Sequence, residues 1–139
     1  MMKLDPLPSE RMRAFGPLIV RLVLGAHLVQ GAQDNLLSWS RMLEFRDYLA
    51  GEGFPVPLAS AIVSVGAQFG AGLCYLLGWQ VRLAALVMLF NFAVALLVAH
   101  WGHPYNAWFP AWIMWTGSLA LFFTGAGAWS LDARRRATP

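Results

Sequence analysis

The sequence predicts an all-α membrane protein: a four-transmembrane-helix bundle with a short amphipathic interfacial helix between the first and second spans. Three observations carry that prediction. Hydrophobic residues make up 58% of the 139 and charged residues only 12%, against roughly a quarter charged in an ordinary globular chain. No Asp, Glu, Lys or Arg occurs in the 49 residues between Arg82 and Asp132, a run long enough for two crossings at about 20 residues each. The basic residues stand at the edges of the apolar segments. The net charge of +3 therefore reads as a topology signal, and no nucleic-acid partner is expected.

The whole of residues 1–139 is expected to form a single four-helix membrane domain. Its spans run from about Phe15 to Leu36, Leu58 to Trp79, Arg82 to Trp101 and Trp108 to Thr124. Between the first two spans, Trp39, Met42, Leu43, Phe45 and Leu49 fall on one side at about 100° per residue, with Arg41, Glu44, Asp47 and Tyr48 on the other. That pattern predicts the interfacial helix over about residues 39–50, with Arg46 snorkelling from inside its apolar arc. Gly51, Gly53, Pro55 and Pro57 stop this helix and restart the chain. Gly78-Trp79-Gln80 is a tight turn, and Gly102-His103-Pro104-Tyr105-Asn106 carries the turn chemistry before the last span. Such short connections make neighbouring spans antiparallel.

Lys3, Arg11, Arg13, Arg82 and Arg134 to Arg136 fall on one side, against Arg41 and Arg46 on the other. Both termini are therefore expected in the cytoplasm, and the chain in the cell inner (plasma) membrane. The cluster from Asp132 to Arg136 marks the exit from the bilayer, with Trp129 at headgroup depth and Asp132 placed to cap locally. Arg21 lies about two turns inside the first span and is expected to snorkel. Gly66, Ala67, Gly70 and Ala71 place small residues four apart and predict a close helix-packing face. Cys74 stands alone, so cysteine spacing offers no disulfide, metal or redox motif.

Polar side chains inside the hydrocarbon are costly and normally face protein or a wet cavity. His27, Gln30 and Asp34 lie within about 60° on the first helix. Gln68 and Asn91 fall near the midplane, and His100 near the outer end of the third span. Together they predict a pocket opening toward the outer leaflet, floored by Gln68 and Asn91. Trp101, Tyr105, Trp108, Trp112 and Trp115 would wall it. Such a pocket suits a quinone, with the ring on aromatic faces and a histidine donating to a carbonyl oxygen. His100 and His27 are the expected hydrogen-bonding groups and Asp34 the proton carrier, while Gln30, Gln68, Asn91 and Trp112 contact the cofactor. The competing reading is plain packing, in which amides bond between helices at about 0.6 kcal/mol each and tryptophans form an interfacial belt. The His100-x-x-His103 pair spans a helix end, and no metal site is expected.

Arg21-Leu-Val-Leu-Gly25, the Gly53-Phe-Pro55 loop, Leu76-Leu-Gly78, Arg82-Leu-Ala-Ala and Gly125-Ala-Gly127-Ala-Trp-Ser130-Leu-Asp132 occur in that order, and with these motifs the chain resembles the DoxX family. The resemblance implies a four-helix membrane protein related to the small, quinone-linked subunit of thiosulfate:quinone oxidoreductases, in a family of mixed function. Two positions depart from the family pattern. Gln68 stands where the second helix commonly has an acid. Gln30-Gly31-Ala-Gln-Asp34 stands where the first commonly reads His-Gly-x-x-Lys. An amide cannot carry a proton at neutral pH, and Asp34 reverses the charge expected there. The expected function is a small membrane subunit of a quinone-linked oxidoreductase, with a quinone as cofactor and other protein subunits or a homo-oligomer as partners. The alternative is a non-catalytic accessory subunit of a larger membrane complex.

Overall fold

Ser9 opens the first helix: its hydroxyl accepts from the Met12 N–H at 3.4 Å, satisfying one of the donors that a helix start leaves free. The computed structural model describes residues 9–137. Lys3 and the Arg11 side chain lie outside what is described. The described residues form α1 (Glu10–Leu37), α2 (Trp39–Gly51), α3 (Pro57–Leu77), α4 (Val81–Val94), α5 (Tyr105–Thr124) and α6 (Leu131–Ala137). A single π turn, Ala95–Ala99, extends α4. Each boundary has a local cause. Pro57 begins α3 at a position where its missing N–H costs nothing. Gly78 (φ 67°) and Gly125 (φ 72°) end α3 and α5 in conformations that side chains rarely adopt.

Three helices are long and apolar enough to cross a bilayer: Met12–Leu37 of α1, Pro57–Leu77, and Val81–Ala99 across α4 and its π turn. This is a membrane protein whose helices contact lipid. α5 has 20 residues without a charge, but Pro110, its tryptophans and Asn106 lower its hydropathy. The chain's third apolar helix ends at Ala99, two residues before the expected Trp101, because the π turn gives way to a bend at His100.

α1 packs chiefly on α3 and α5 chiefly on α4, with α3 meeting α4 to close the bundle. Leu24, Leu28, Tyr75, Val81, Met88 and Leu121 are central to the core. One polar tie crosses it, Tyr75 donating its hydroxyl proton to Ser118 Oγ at 2.9 Å. Close approach of α1 and α3 depends on Gly25 and Gly72. A Cβ at Gly25 would fall 2.9 Å from the Gly72 carbonyl oxygen, and one at Gly72 would fall 2.9 Å from Val29 Cγ2. This corrects the expected packing stripe: Gly66 and Gly70 are exposed and a Cβ on either meets nothing within 4 Å. Only Ala67 and Ala71 of that set turn toward the core.

The end of the bundle holding α6 is organised by Arg21, and here too the expectation is corrected. Arg21 does not snorkel; it is only 2% exposed. Its Nη1 donates to the carbonyls of Tyr75 (2.9 Å) and Leu76 (3.2 Å), and Nη2 donates to the Trp129 carbonyl. A cation thus sits on the negative end of the α3 dipole. Gly78 makes room for it, since a Cβ there would lie 2.5 Å from Arg21 Nη1. Asp132 completes the knot. Its carboxylate accepts from Gln80 N–H (2.8 Å) and Val81 N–H (3.1 Å), capping α4, while its own N–H donates to the Gly78 carbonyl at 2.9 Å. The expected local cap is therefore a long-range one, reaching from the end of the chain to the start of α4.

At the opposite end α2 buries Met42 and Leu49 against Ala32, Ala61 and Val65. Arg41, Glu44 and Asp47 remain exposed. Arg46 pairs with its neighbour Asp47 at 2.6 Å.

Candidate functional site

α2 roofs a cavity of about 480 Å³ between α3 and α4. Phe45 and Tyr48 come down from α2, Phe90 and Phe92 stand on α4, and Phe54 closes the α2–α3 loop side. Ser64, Gln68, Asn91 and His100 supply the polar groups. Three of these are already joined: Gln68 Nε2 donates to Ser64 Oγ at 3.0 Å, and Ser64 donates to Asn91 Oδ1 at 2.8 Å. The relay fixes both amides and leaves the Gln68 carbonyl and the Asn91 NH₂ group without a partner among the described residues. No Asp, Glu, Lys or Arg lines the cavity, so it suits an uncharged ligand with acceptor oxygens and a flat ring.

The π turn explains how His100 reaches this wall. It lies nine positions after Asn91, which in a regular helix would put the two about 180° apart. Taking up one extra residue in the turn, where His100 N–H donates to the Ala95 carbonyl at 2.9 Å, reduces the angle to about 80°. Tyr48 pins the roof over the same spot by donating to the Ala99 carbonyl at 3.2 Å. Both His100 and Tyr48 lie outside the apolar spans. Burial, reinforced by His103 and opposed by Glu52, holds the His100 imidazole below its ordinary pKa. Burial and then the Glu52 carboxylate push the Tyr48 phenol up.

The single pocket expected from the sequence is divided. Gln68, Phe92, His100 and Ala111 form a septum between the roofed cavity and a cleft of about 260 Å³ that His27, Gly31, Pro110 and Met114 line between α1 and α5. A third cavity, about 370 Å³, is bounded by Leu96, His100, His103, Trp101, Trp108 and Trp112. The structure thus brings together Gln68, Asn91 and His100, sets His27 behind the septum, and gives Trp112 to the third cavity. Gln30 and Asp34 line none of these cavities and are exposed on α1. The expected aromatic walls are displaced as well. Tyr105, Trp108, Trp112 and Trp115 form a ladder of ring contacts along α5, while phenylalanines and Tyr48 wall the main cavity. Ser64 and Tyr48 were missed by sequence reasoning. Ser64 was legible as the residue one turn before Gln68; Tyr48 was assigned to the polar face of α2.

Among the described residues no group of three or more His, Cys, Asp or Glu is placed to hold a metal ion. Cys74 is half-buried and unpaired.

Apolar helices of spanning length around a polar, aromatic-walled cavity define the class: a polytopic α-helical membrane protein with an internal ligand-sized site. The family model named DoxX matches residues 16–101. The chain belongs to the DoxX family, as its motifs implied. A search of the curated proteins and a search of the solved structures each find no match.

Proposed function

We propose that this protein is the small membrane subunit of a quinone-linked oxidoreductase and holds the quinone ring in the cavity roofed by α2. The observation that carries the reading is the convergence of Gln68, Asn91 and His100 on an uncharged, aromatic-walled space of about 480 Å³, within the size range of small-molecule sites. Bound there, a quinone supplies two-electron, two-proton chemistry at its carbonyl oxygens. Asn91 and His100 donate to those oxygens, the phenylalanines hold the ring flat, and α2 excludes water. Val63 and Phe90, 70% and 74% exposed, stand at the edge of the cavity and let an isoprenoid tail pass into the lipid between α3 and α4. The electron donor is a separate polypeptide.

In this reading the chain crosses the cell inner membrane four times, with both ends in the cytoplasm. α5 is the fourth span, being about 30 Å long at 1.5 Å per residue and packed along α4. α2 lies in the interface, with its apolar side on the bundle and its charges in water. Arg13, Arg82 and Arg134 to Arg136 sit at the α6 end, against Arg41 and Arg46 at the α2 end, in accord with positive-inside bias.

The test titrates the purified protein in detergent with duroquinone, following tryptophan fluorescence. Asn91→Leu and His100→Ala are expected to weaken binding about tenfold each, the equivalent of one lost hydrogen bond. Asp34→Asn and Gln30→Leu should leave it unchanged. Full affinity in Asn91→Leu would remove the cavity from consideration.

One observation favours a second reading, a non-catalytic subunit of a larger complex. Gln30 sits exposed in the apolar part of α1 with no hydrogen-bond partner among the described residues, a costly arrangement in lipid unless another helix covers it. Unaltered turnover of the intact complex in His100→Ala would select this reading.

A further inference from the structure

The α2 end holds two ionisable groups that the quinone reading leaves unused. His103 Nε2 stands 3.2 Å from Glu52 Oε1 and 3.4 Å from Oε2, tying the end of α2 to the loop after the π turn. His103 and His100 line the same cavity of about 370 Å³, and His100 also borders the roofed cavity and the α1–α5 cleft. His100 is thus the side chain common to all three spaces. The other titratable groups facing it are Tyr48 from α2, already bound to the Ala99 carbonyl, and His27 from α1 across the cleft. α3 presents the amide of Gln68, and α5 presents no charge to these cavities.

We propose that His100, His103 and Glu52 form the route by which protons pass between the roofed cavity and the aqueous phase at the α2 end, with His100 the group that meets the ligand. The proposal rests on the quinone reading above and adds the residues that move its protons. For every electron delivered to the bound ring by a one-electron carrier on another polypeptide, His100 releases one proton to a ring oxygen. Its N–H bond breaks, the pair stays on nitrogen, and an O–H bond forms. Imidazole suits this step because one nitrogen can donate while the other accepts the replacement. The replacement comes from His103 through the shared cavity, which has room for several waters at about 30 Å³ each. His103 recovers its proton from solution, and Glu52 holds its ring in place and balances its charge. Asp34, exposed on the outer face of α1, takes no part.

The test measures exchange of the His100 ring N–H with water by NMR on protein labelled with ¹⁵N-histidine in detergent, alongside duroquinone affinity. Glu52→Gln and His103→Gln are the variants; both side chains are partly exposed and neither belongs to the buried core. Exchange at His100 is expected to slow roughly tenfold or more in each variant, in keeping with the loss of one positioned acid–base group. Duroquinone affinity should stay unchanged, which a merely structural role for the pair would not predict. Unchanged or faster exchange in both variants overturns the route, whether or not duroquinone binds. If duroquinone binds none of the proteins, the quinone reading falls, and slowed exchange would still establish the three groups as a proton path.

Discussion

Replacing Arg21 by methionine tests the account of the α6 end most directly. The guanidinium donates to three carbonyls, those of Tyr75, Leu76 and Trp129. The Tyr75 carbonyl keeps a second partner, the Gly78 N–H at 3.2 Å, so the substitution strands two. The Leu76 and Trp129 bonds are only part-buried, so each stranded carbonyl costs toward the low end of about 1–3 kcal/mol. Relief from burying a cation offsets part of this, leaving a net loss of about 1–2 kcal/mol. Asp132 would lose a nearby positive charge but keep its Gln80 and Val81 donors. Reversible unfolding in mixed micelles of rising SDS content reads the loss as an earlier midpoint. Arg21→Lys keeps the charge without the planar fork and should fall between the two. A methionine variant within about 0.5 kcal/mol of wild type, the range of substitutions that touch nothing, would refute the claim that this arginine holds α3 to the C-terminal segment.

Other consequences are as definite. Gly25→Ala puts a methyl group 2.9 Å from a backbone oxygen that cannot move aside and should lose about 1–3 kcal/mol in the same assay; Gly66→Ala and Gly70→Ala, with open space around them, should lose none. Asp132→Ala removes the acceptor for the Gln80 and Val81 N–H groups at the start of α4 and should cost about 1–2 kcal/mol, visible also as faster amide exchange at these two residues. For topology, a fluorescent protein fused after Pro139 should fluoresce, and alkaline phosphatase inserted in the α2–α3 loop should be active; the reverse pattern would invert the orientation and place the Glu52–His103 pair in the cytoplasm.

The helices were legible because lipid imposes a coarse rule on composition. Apolar length, glycine and proline punctuation, and the alternation within residues 39–50 place α1 to α5 within a few residues. The knot at the α6 end was not legible, and Arg21 shows why. An arginine two turns inside a span has two ways to meet its needs, reaching back to water or finding carbonyls, and helical position alone does not choose between them. The choice is made by Gly78, whose missing side chain opens the space, and by a C-terminal segment that brings the Trp129 carbonyl to the same point. The small-residue stripe failed for a related reason. Gly66 and Gly70 permit close approach, but Gly72 is the residue that α1 meets, because Gly25 faces it and Leu24 and Leu28 flank the contact in the core.

The polar groups of the site show the same limit more sharply. A wheel correctly set His27, Gln30 and Asp34 on one face of α1, but a wheel says nothing of where a face points. Arg21, Leu24, Leu28 and Ala32 bury the adjacent face, which leaves the stripe at the bundle's margin, with only His27 reaching a cavity. Asn91 and His100 present the opposite case. Counted along a regular helix they diverge by about half a turn, and only the π turn at Ala95–Ala99 brings them to one wall. Tyr48 meets the end of that turn at the Ala99 carbonyl, a contact between α2 and the end of α4 that no local pattern encodes. The candidate site therefore depends on a register shift, and deleting one residue from Ala95–Ala99 should restore a regular helix in which His100 follows Asn91 by eight positions, again about 80° away, so the bundle should stay folded and duroquinone binding should be kept. Loss of binding in that deletion would mean that the direction of His100 around the helix does not explain the site.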